Sequence, residues 1–569
     1  MPGGVGGERS GTLAAPIPIA STRRLILAMP DFRPPRWSFV PWLALLLVHV
    51  AALAGLGVLI ARQTQPVPMH DLQLADGERL KCVSYAPYHL PGQTPYDQTL
   101  KISREQIVAD LTALSHLTEC VRLYSVAQGL EQVPGVAREL GLKVLLGAWI
   151  SSDRKRSAIE LDQALRIAND NADVVRMLIV GNEVLLRRER TEDELRGLIE
   201  YAAARTEVPV TYADVWEFWL RHTSLAGAVD RVTVHILPFW EDDPVAIEHA
   251  VAHVATVFDE VRRHFDKPVM IGETGWPSAG RQREASLPSL VNQARYIREF
   301  IHRAHDEGWD YNLIEAIDQP WKRRLEGTVG GYWGVLDVDL AAKFPLAGPV
   351  AERDTFVAPA LGAGFGVLLC LALAAGRRSK RRTPLQLAAI TAMGAVAGTV
   401  AVLQWEHARF AYRDGLEWAM LGTVFAVGMI VPLTLARWAS GRGIRSGAGV
   451  WAAWQRGRTA ALDAPAALGL LRLVLLFAAA VGALLLFVDP RYRDFPSLLF
   501  IVPALTFGVL GWFANSRHAI EERLCSAVIA VSVVGRWLSE PLNPQAVAWL
   551  VIGLILAAPT LRADAREDQ

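Results

Sequence analysis

The chain is 569 residues long, more than one domain needs, and its formal charge is zero, which gives no electrostatic case for a nucleic-acid partner. Hydrophobic residues make up 51% of it, and the mean hydropathy is +0.22; both are high for a soluble enzyme and point to membrane segments. Four cysteines are too few for a disulfide framework. Cys82 and Cys120 fall on two predicted strands, where a bridge is open to them, but buried free thiols are the expectation.

Residues 1–37 are rich in Gly, Pro and Arg and are expected to be disordered and cytoplasmic, with Met29 a candidate start. Residues 38–61 form an apolar run long enough to cross a bilayer. Arg23, Arg24, Arg33 and Arg36 precede it, so an uncleaved anchor with its N-terminal end in the cytoplasm is expected. A linker at 62–79 follows.

From Leu80 short apolar strands alternate with amphipathic helices. The predicted strands are Leu80–Pro87, Glu119–Tyr124, Lys143–Trp149, Arg176–Glu183, Pro209–Asp214, Arg231–Leu237, Pro268–Glu273 and Asn312–Asp318. Helical patterns lie at Arg104–Leu117, Ser157–Asn169, Glu192–Arg205, Pro244–His264 and Leu290–Ala304. Eight such units in residues 80–345 predict an α/β fold, a TIM (β/α)8 barrel.

A linker at 346–355 leads to residues 356–561, which read as a multi-span helical membrane domain. Seven spans are predicted: Phe356–Ala375, Leu385–Leu403, Leu416–Ala436, Ala466–Val488, Ser497–Asn515, Leu524–Leu538 and Ala546–Leu561. A tail, 562–569, ends the chain. The loop Arg377–Arg382 and the loop with Arg437, Arg442, Arg445, Arg456 and Arg458 are basic, which places both in the cytoplasm. With the first span this gives eight crossings, both termini inside, and the barrel outside. In a bacterium that is an inner-membrane protein with a periplasmic barrel. Arg472, Arg536 and Glu417 lie in or at the ends of spans and are expected to snorkel to the interface.

Two barrel strands end in carboxylates. MLIVGNEV carries Glu183, preceded by Asn182, and VMIGETGWPSAG carries Glu273. Paired strand-end carboxylates at the C-terminal face of a barrel are the equipment for cleaving a glycosidic bond. The acid of such a pair must hold its proton near neutrality, so a raised pKa is expected for it. Sugar rings stack on aromatic faces, and Trp240, Trp276, Trp321 and Trp333 follow strand ends. In VWEFW, at least one of Trp216 and Trp219 is expected to be packing. His235 is a candidate to orient Glu273, and Tyr212 is as much a core candidate as a site candidate.

IVGNEV, GETGWPSAG and EAIDQPWK (Glu315–Lys322) together resemble glycoside hydrolase family 17, the β-1,3-glucanases and β-glucan transglycosidases, over about Leu80–Asp337. The second motif is the most specific. The resemblance implies Glu183 as general acid/base and Glu273 as nucleophile, with no metal or organic cofactor. It implies a sugar-binding role for Asn182, through the 2-hydroxyl, and a substrate cleft with Tyr85, Tyr124, Tyr212, His235, Trp240, Trp276, Trp321 and Lys322. Two departures stand out. Plant members carry a Tyr where this chain has Leu237, so Tyr212 or His235 is expected to supply that contact; they carry a Glu where this chain has Gln319. Glu315 and Glu326 remain open between site roles and ion pairing within the barrel.

No processive glycosyltransferase signature of the QxxRW type is present. The expected activity is a retaining β-glucan transglycosidase, with the membrane-embedded architecture resembling bacterial β-1,6-glucan synthases. A β-1,3-glucan hydrolase and a glucan-binding transport or assembly scaffold are the alternatives. The expected partners are a β-glucan chain, the lipid bilayer, and a glucan synthase or export complex.

Overall fold

A computed structural model describes residues 39–72, 78–375, 382–438, 443–457, 463–513 and 517–562. The expectations for 1–37, for Met29, for the loop Arg377–Arg381, for Arg442 and Arg458, and for the tail 563–569 fall outside the described residues.

Eight parallel strands close into a barrel in sequence order: β1 (Val83–Ser84), β2 (Cys120–Arg122), β3 (Lys143–Ala148), β4 (Val175–Asn182), β5 (Val210–Val215), β6 (Arg231–His235), β7 (Val269–Thr274) and β8 (Tyr311–Leu313). Pairing of Val83 with Leu313 completes the ring. β3, β4 and β7 are apolar runs because both faces are covered, one by the barrel interior and one by helices. The order is set by α2 (Arg104–Ser115), α3 (Val133–Glu139), α4 (Arg154–Asp170), α5 (Glu192–Ala203), α6 (Trp216–Arg221), α7 (Ile247–His264), α8 (Leu290–Asp306) and α9 (Arg323–Gly330), with α1 (Val40–Gln63) ahead of the barrel. Local chemistry starts these helices where the sequence signals it. Thr191 and Glu194 form a capping box on α5, and Asp153 and Ser103 cap α4 and α2.

Cys82 and Cys120 are joined by a disulfide, which corrects the expectation of free thiols. The register explains it. Val83 pairs with Val121, so the two cysteines just before them are neighbours across adjacent parallel strands, with Cα atoms 4.4 Å apart.

The segments flanking the barrel meet: Val67 donates to the carbonyl of Val350 at 2.8 Å, and Leu72 to that of Leu346 at 2.9 Å. Beyond them lie α10 (Val357–Ala375), α11 (Pro384–Ala411), α12 (Gly415–Leu435), α13 (Gly447–Gln455), α14 (Ala464–Val488), α15 (Ser497–Phe513), α16 (Ile520–Ser539) and α17 (Pro544–Leu561). Six of the described helices, α1, α10, α11, α12, α14 and α17, are long and apolar enough to cross a bilayer; α15 is apolar but shorter, and α16 is interrupted by charge. Helices α10 and α11 pack through glycines. A Cβ on Gly398 would lie 1.9 Å from the carbonyl oxygen of Gly362, a contact only small residues allow.

The connections between these helices alternate in what they touch. Phe410 before α12, Asp494 before α15, and Glu540 and Asn543 before α17 all bond the barrel, through Arg323, Thr328, Arg281 and Gln282. The intervening connections bond one another instead. Arg382 donates to the carbonyls of Ala436 and Trp438 at 2.8 Å, and Arg517 donates its backbone N–H to Ile444 at 3.1 Å. Arg472 and Arg536 reach the connections at the ends of their helices, Arg472 bonding the carbonyls of Arg445 and Arg517 and Arg536 that of Pro490. Both are buried, Arg472 paired with Glu522 at 3.1 Å and Arg536 with Glu540. A buried guanidinium is costly unless it is paired with a carboxylate. Glu417 pairs with Arg413, four residues earlier.

Candidate active site

A single cleft of about 890 Å³ lies at the C-terminal ends of the strands and is lined by both Glu183 and Glu273. Glu273 is in β7 itself and Glu183 follows β4 directly. One carboxylate oxygen of each, together with a ring nitrogen of His235, lies within 4.8 Å of the others.

Glu273 is buried and held from two sides. Arg122 Nη1 donates to its Oε1 at 3.0 Å, and the Tyr124 hydroxyl donates to the same oxygen at 3.0 Å. Arg122 also donates to the carbonyl of Gly272 at 2.7 Å and to Asn182 Oδ1. The strand β2 and its exit place both partners: residues 120, 122 and 124 alternate onto the barrel interior. Burial, then the charge of Glu273, push the Tyr124 hydroxyl well above its ordinary range, so it stays a donor.

Glu183 has a left-handed backbone (φ +50°), unusual for a residue with a side chain. Its N–H donates to Ala213 at 2.8 Å and its carbonyl accepts from Arg187 at 2.9 Å, which fix the turn. The side chain meets His235 Nδ1 at 3.0 Å, while His235 Nε2 lies 3.6 Å from Glu273. Burial pushes the Glu183 carboxyl up. The His235 bond and charge, with Arg187 and Arg122, outweigh it and hold the carboxyl below its ordinary value. The expected raised pKa is therefore not found in the free site, because the imidazole sits between the carboxylates where their mutual repulsion would act. His235 was expected to orient Glu273; its direct bond is to Glu183.

Around the pair, Glu315 is buried and pushed up to about 7 by burial, against the opposing pull of its partner Lys322. Lys322 also lines the cleft, as do Glu315 and Glu326. Burial raises the Glu326 carboxyl too. Gln319 is buried, donating to the carbonyls of Ala86 and Ile317 and accepting from the Trp321 indole at 2.7 Å.

The aromatic candidates divide. Trp240 and Trp321 are half-buried and line the cleft. Trp321 is flanked edge-on by Tyr88 and Tyr96. Trp333 lines the cleft too but is largely buried, stacked on Trp240 with centroids 6.1 Å apart. Trp276 is a correction: it is fully buried, packed on Phe239 and Tyr296, and its indole donates to Leu287, so it offers no face to a sugar. Tyr212 is another. It is fully buried, outside the cleft lining, and its hydroxyl bonds Asp214 while accepting from the Leu185 N–H. Burial, opposed by that hydroxyl, pushes Asp214 up to about 6. Tyr85 reaches the cleft wall but commits its hydroxyl to Asp110 at 2.8 Å. Trp219 is core, and Trp216 bonds Glu241.

Arg122 escaped the sequence reading. An arginine inside an apolar strand, CVRLYS, was the available signal, since a buried guanidinium requires a carboxylate. Tyr124 bonds Glu273 directly, Tyr212 bonds Asp214 instead, and His235 Nε2 lies 3.6 Å from Glu273.

Glu183, His235 and Glu273 are spaced as cation ligands would be. The donor set argues otherwise: Arg122 already lies 3.0 Å from Glu273 and His235 3.0 Å from Glu183, so a divalent ion would sit against a fixed positive charge.

Residues 82–334 match the family described as the BtgE/BtgC glycoside hydrolase domain. A probable beta-glucosidase btgE of Aspergillus flavus is 29% identical over 265 residues, covering 45% of this chain and 42% of that protein. A glucan 1,3-beta-glucosidase of Arthroderma benhamiae is 29% identical over 247 residues, covering 39% of this chain and 78% of that one. The chain thus spans less than half the length of the Aspergillus relatives it matches. Among solved structures, the glycoside hydrolase family 17 β-1,3-glucanosyltransferase of Rhizomucor miehei aligns at 25% identity and a TM-score of 0.42, over 48% of this chain and 98% of that chain.

Proposed function

We propose that the chain is a retaining β-glucan-active enzyme that cleaves β-1,3-glucan and passes the glucosyl unit to a glucan acceptor. The observation that carries the reading is the pair of strand-end glutamates with oxygens within 4.8 Å of each other. Oxygens this close favour double displacement over inversion, which sets its carboxyl groups farther apart to admit a water.

Glu273 attacks the anomeric carbon as the bond to the leaving oxygen breaks. Arg122 and Tyr124, both on its Oε1, aim the carboxylate. The leaving oxygen takes a proton from Glu183. Glu183 meets His235 Nδ1 at 3.0 Å, which orients the carboxyl toward the cleft. Water or a sugar hydroxyl then attacks the ester, giving its proton back to Glu183. Asn182, oriented by Arg122, is placed to hold the 2-hydroxyl, and Trp240 and Trp321 to stack on sugar faces.

The helical region is read as a multi-span membrane domain with the barrel outside the cytoplasm, which is the periplasm in a bacterium. The alternation of connections supports eight crossings: those bonding the barrel lie on one side, and the basic ones on the other. The Cys82–Cys120 disulfide fits an oxidising compartment.

The test is product analysis. Full-length protein in detergent, given short β-1,3-gluco-oligosaccharides at millimolar concentration, is expected to yield products longer than the donor. Only shorter products would leave a hydrolase, which is what the names of the fungal glucosidases favour for those proteins. No turnover of any β-glucan would refute the reading.

A further inference from the structure

The stretch between α14 and α15 reaches into the barrel mouth. Its Arg491 and Tyr492 line the same cleft as Glu183 and Glu273. Arg491 donates to the carbonyl of Trp240 at 3.1 Å, with its guanidinium 5.3 Å from the indole centroid. The Tyr492 ring meets the same indole edge-on at 5.9 Å. The approach is tight on the far flank as well: a Cβ on Gly327, in α9, would lie 2.0 Å from the Tyr492 carbonyl oxygen, and the φ of +69° there suits glycine. Thr328 donates to Asp494 beside it. Between these flanks Arg281, after β7, lies over Phe495 at 4.9 Å. The connection therefore spans from the loop after β6, across that after β7, to the helix after β8.

We infer that Arg491 and Tyr492, carried by the helical region, form with Trp240 a closing sugar subsite on the β6–β8 side of the cleft. The end unit of a β-glucan chain is held there, and the rest of the chain leaves over the β1–β5 side, past the exposed Tyr96. The inference rests on the β-glucan reading. A half-buried tyrosine beside an indole offers apolar surface to the C–H face of a sugar, and a guanidinium anchored on a backbone carbonyl keeps spare N–H donors for hydroxyls. The backbone contacts at Gly327 leave no path for a chain on that side, so the helical region selects chain ends over chain interiors.

The experiment uses full-length protein and β-1,3-glucohexaose labelled at its reducing end. Wild-type enzyme is expected to release one dominant first product, set by the closed end. Arg491→Ala/Tyr492→Ala should broaden the first products to several lengths. In the Glu273→Gln background it should weaken hexaose binding by roughly 2- to 12-fold in calorimetry, the worth of one aromatic contact. Tyr492→Phe, which keeps the ring and its packing, should retain the single product. A wild-type product mixture as broad as the variant's, or a double variant with unchanged pattern and affinity, overturns the inference. Hexaose binding that depends on Tyr492 in a protein that turns over no glucan overturns the catalytic reading and leaves the subsite standing.

Discussion

Removing Arg122 should expose how much of the site is electrostatic. Its side chain is 1% exposed and that of Glu273 5%, and their closest atoms are 3.0 Å apart. Arg122→Met keeps the bulk but leaves Glu273 buried with the Tyr124 hydroxyl as its hydrogen-bond donor and His235 Nε2 at 3.6 Å. Breaking a buried pair from one side costs about 3–5 kcal/mol, because the remaining charge is uncompensated. For a unit of this size each kcal/mol lowers the melting temperature by about 2–4 °C, so a fall of roughly 6–20 °C is expected. Glu273→Gln removes the charge that Arg122 balances, so in that background the further loss from Arg122→Met should be smaller by about half or more. The assay is thermal unfolding of the four proteins of the cycle in one detergent, followed by tryptophan fluorescence. Additive shifts would refute the claim that Arg122 acts through the charge of Glu273.

Glu183→Gln should slow turnover of oligosaccharides by roughly 10²- to 10⁴-fold while sparing aryl glycosides, whose leaving groups need little acid help; equal losses on both would remove Glu183 from the acid role. His235 holds the Glu183 carboxyl below its ordinary value, so His235→Ala should raise that pKa. The protonated acid then survives to higher pH, and the basic limb of kcat/KM moves upward; a downward move would contradict the geometry. Cys82→Ala should lower stability by about 2–4 kcal/mol, read as a melting shift that vanishes when both proteins are compared under reductant. A reporter fused after Gln569 should remain cytoplasmic while one inserted near Pro345 is exported; an exported C-terminus would refute eight crossings.

The barrel was legible because β3, β4 and β7 lie in apolar runs with helical patterns between the strands, and because Glu183 and Glu273 stand where such runs stop. What failed was what only register or packing decides. Trp276 sits in a motif next to Glu273, yet nothing local says that its ring turns inward onto Phe239 and Tyr296. The Cys82–Cys120 bridge depends on the pairing of β1 with β2, which spacing alone leaves open. The partners of Arg472 and Arg536, Glu522 and Glu540, lie on α16 or just past it, 50 and 4 residues away, and only the packing of α14 on α16 brings the first pair together. The contact of Arg491 with Trp240 joins positions 251 residues apart, and no pattern in either segment announces the other.

The central claim is that Glu273 becomes covalently glucosylated. Incubation of full-length protein with a 2-deoxy-2-fluoro β-1,3-glucosyl donor carrying a good leaving group, then proteolysis and mass spectrometry, tests it directly. The expected result is one glycosyl adduct on Glu273, absent from Glu273→Gln. An enzyme that turns over β-glucan but forms no adduct, or forms it at Glu183 or elsewhere, would contradict the account.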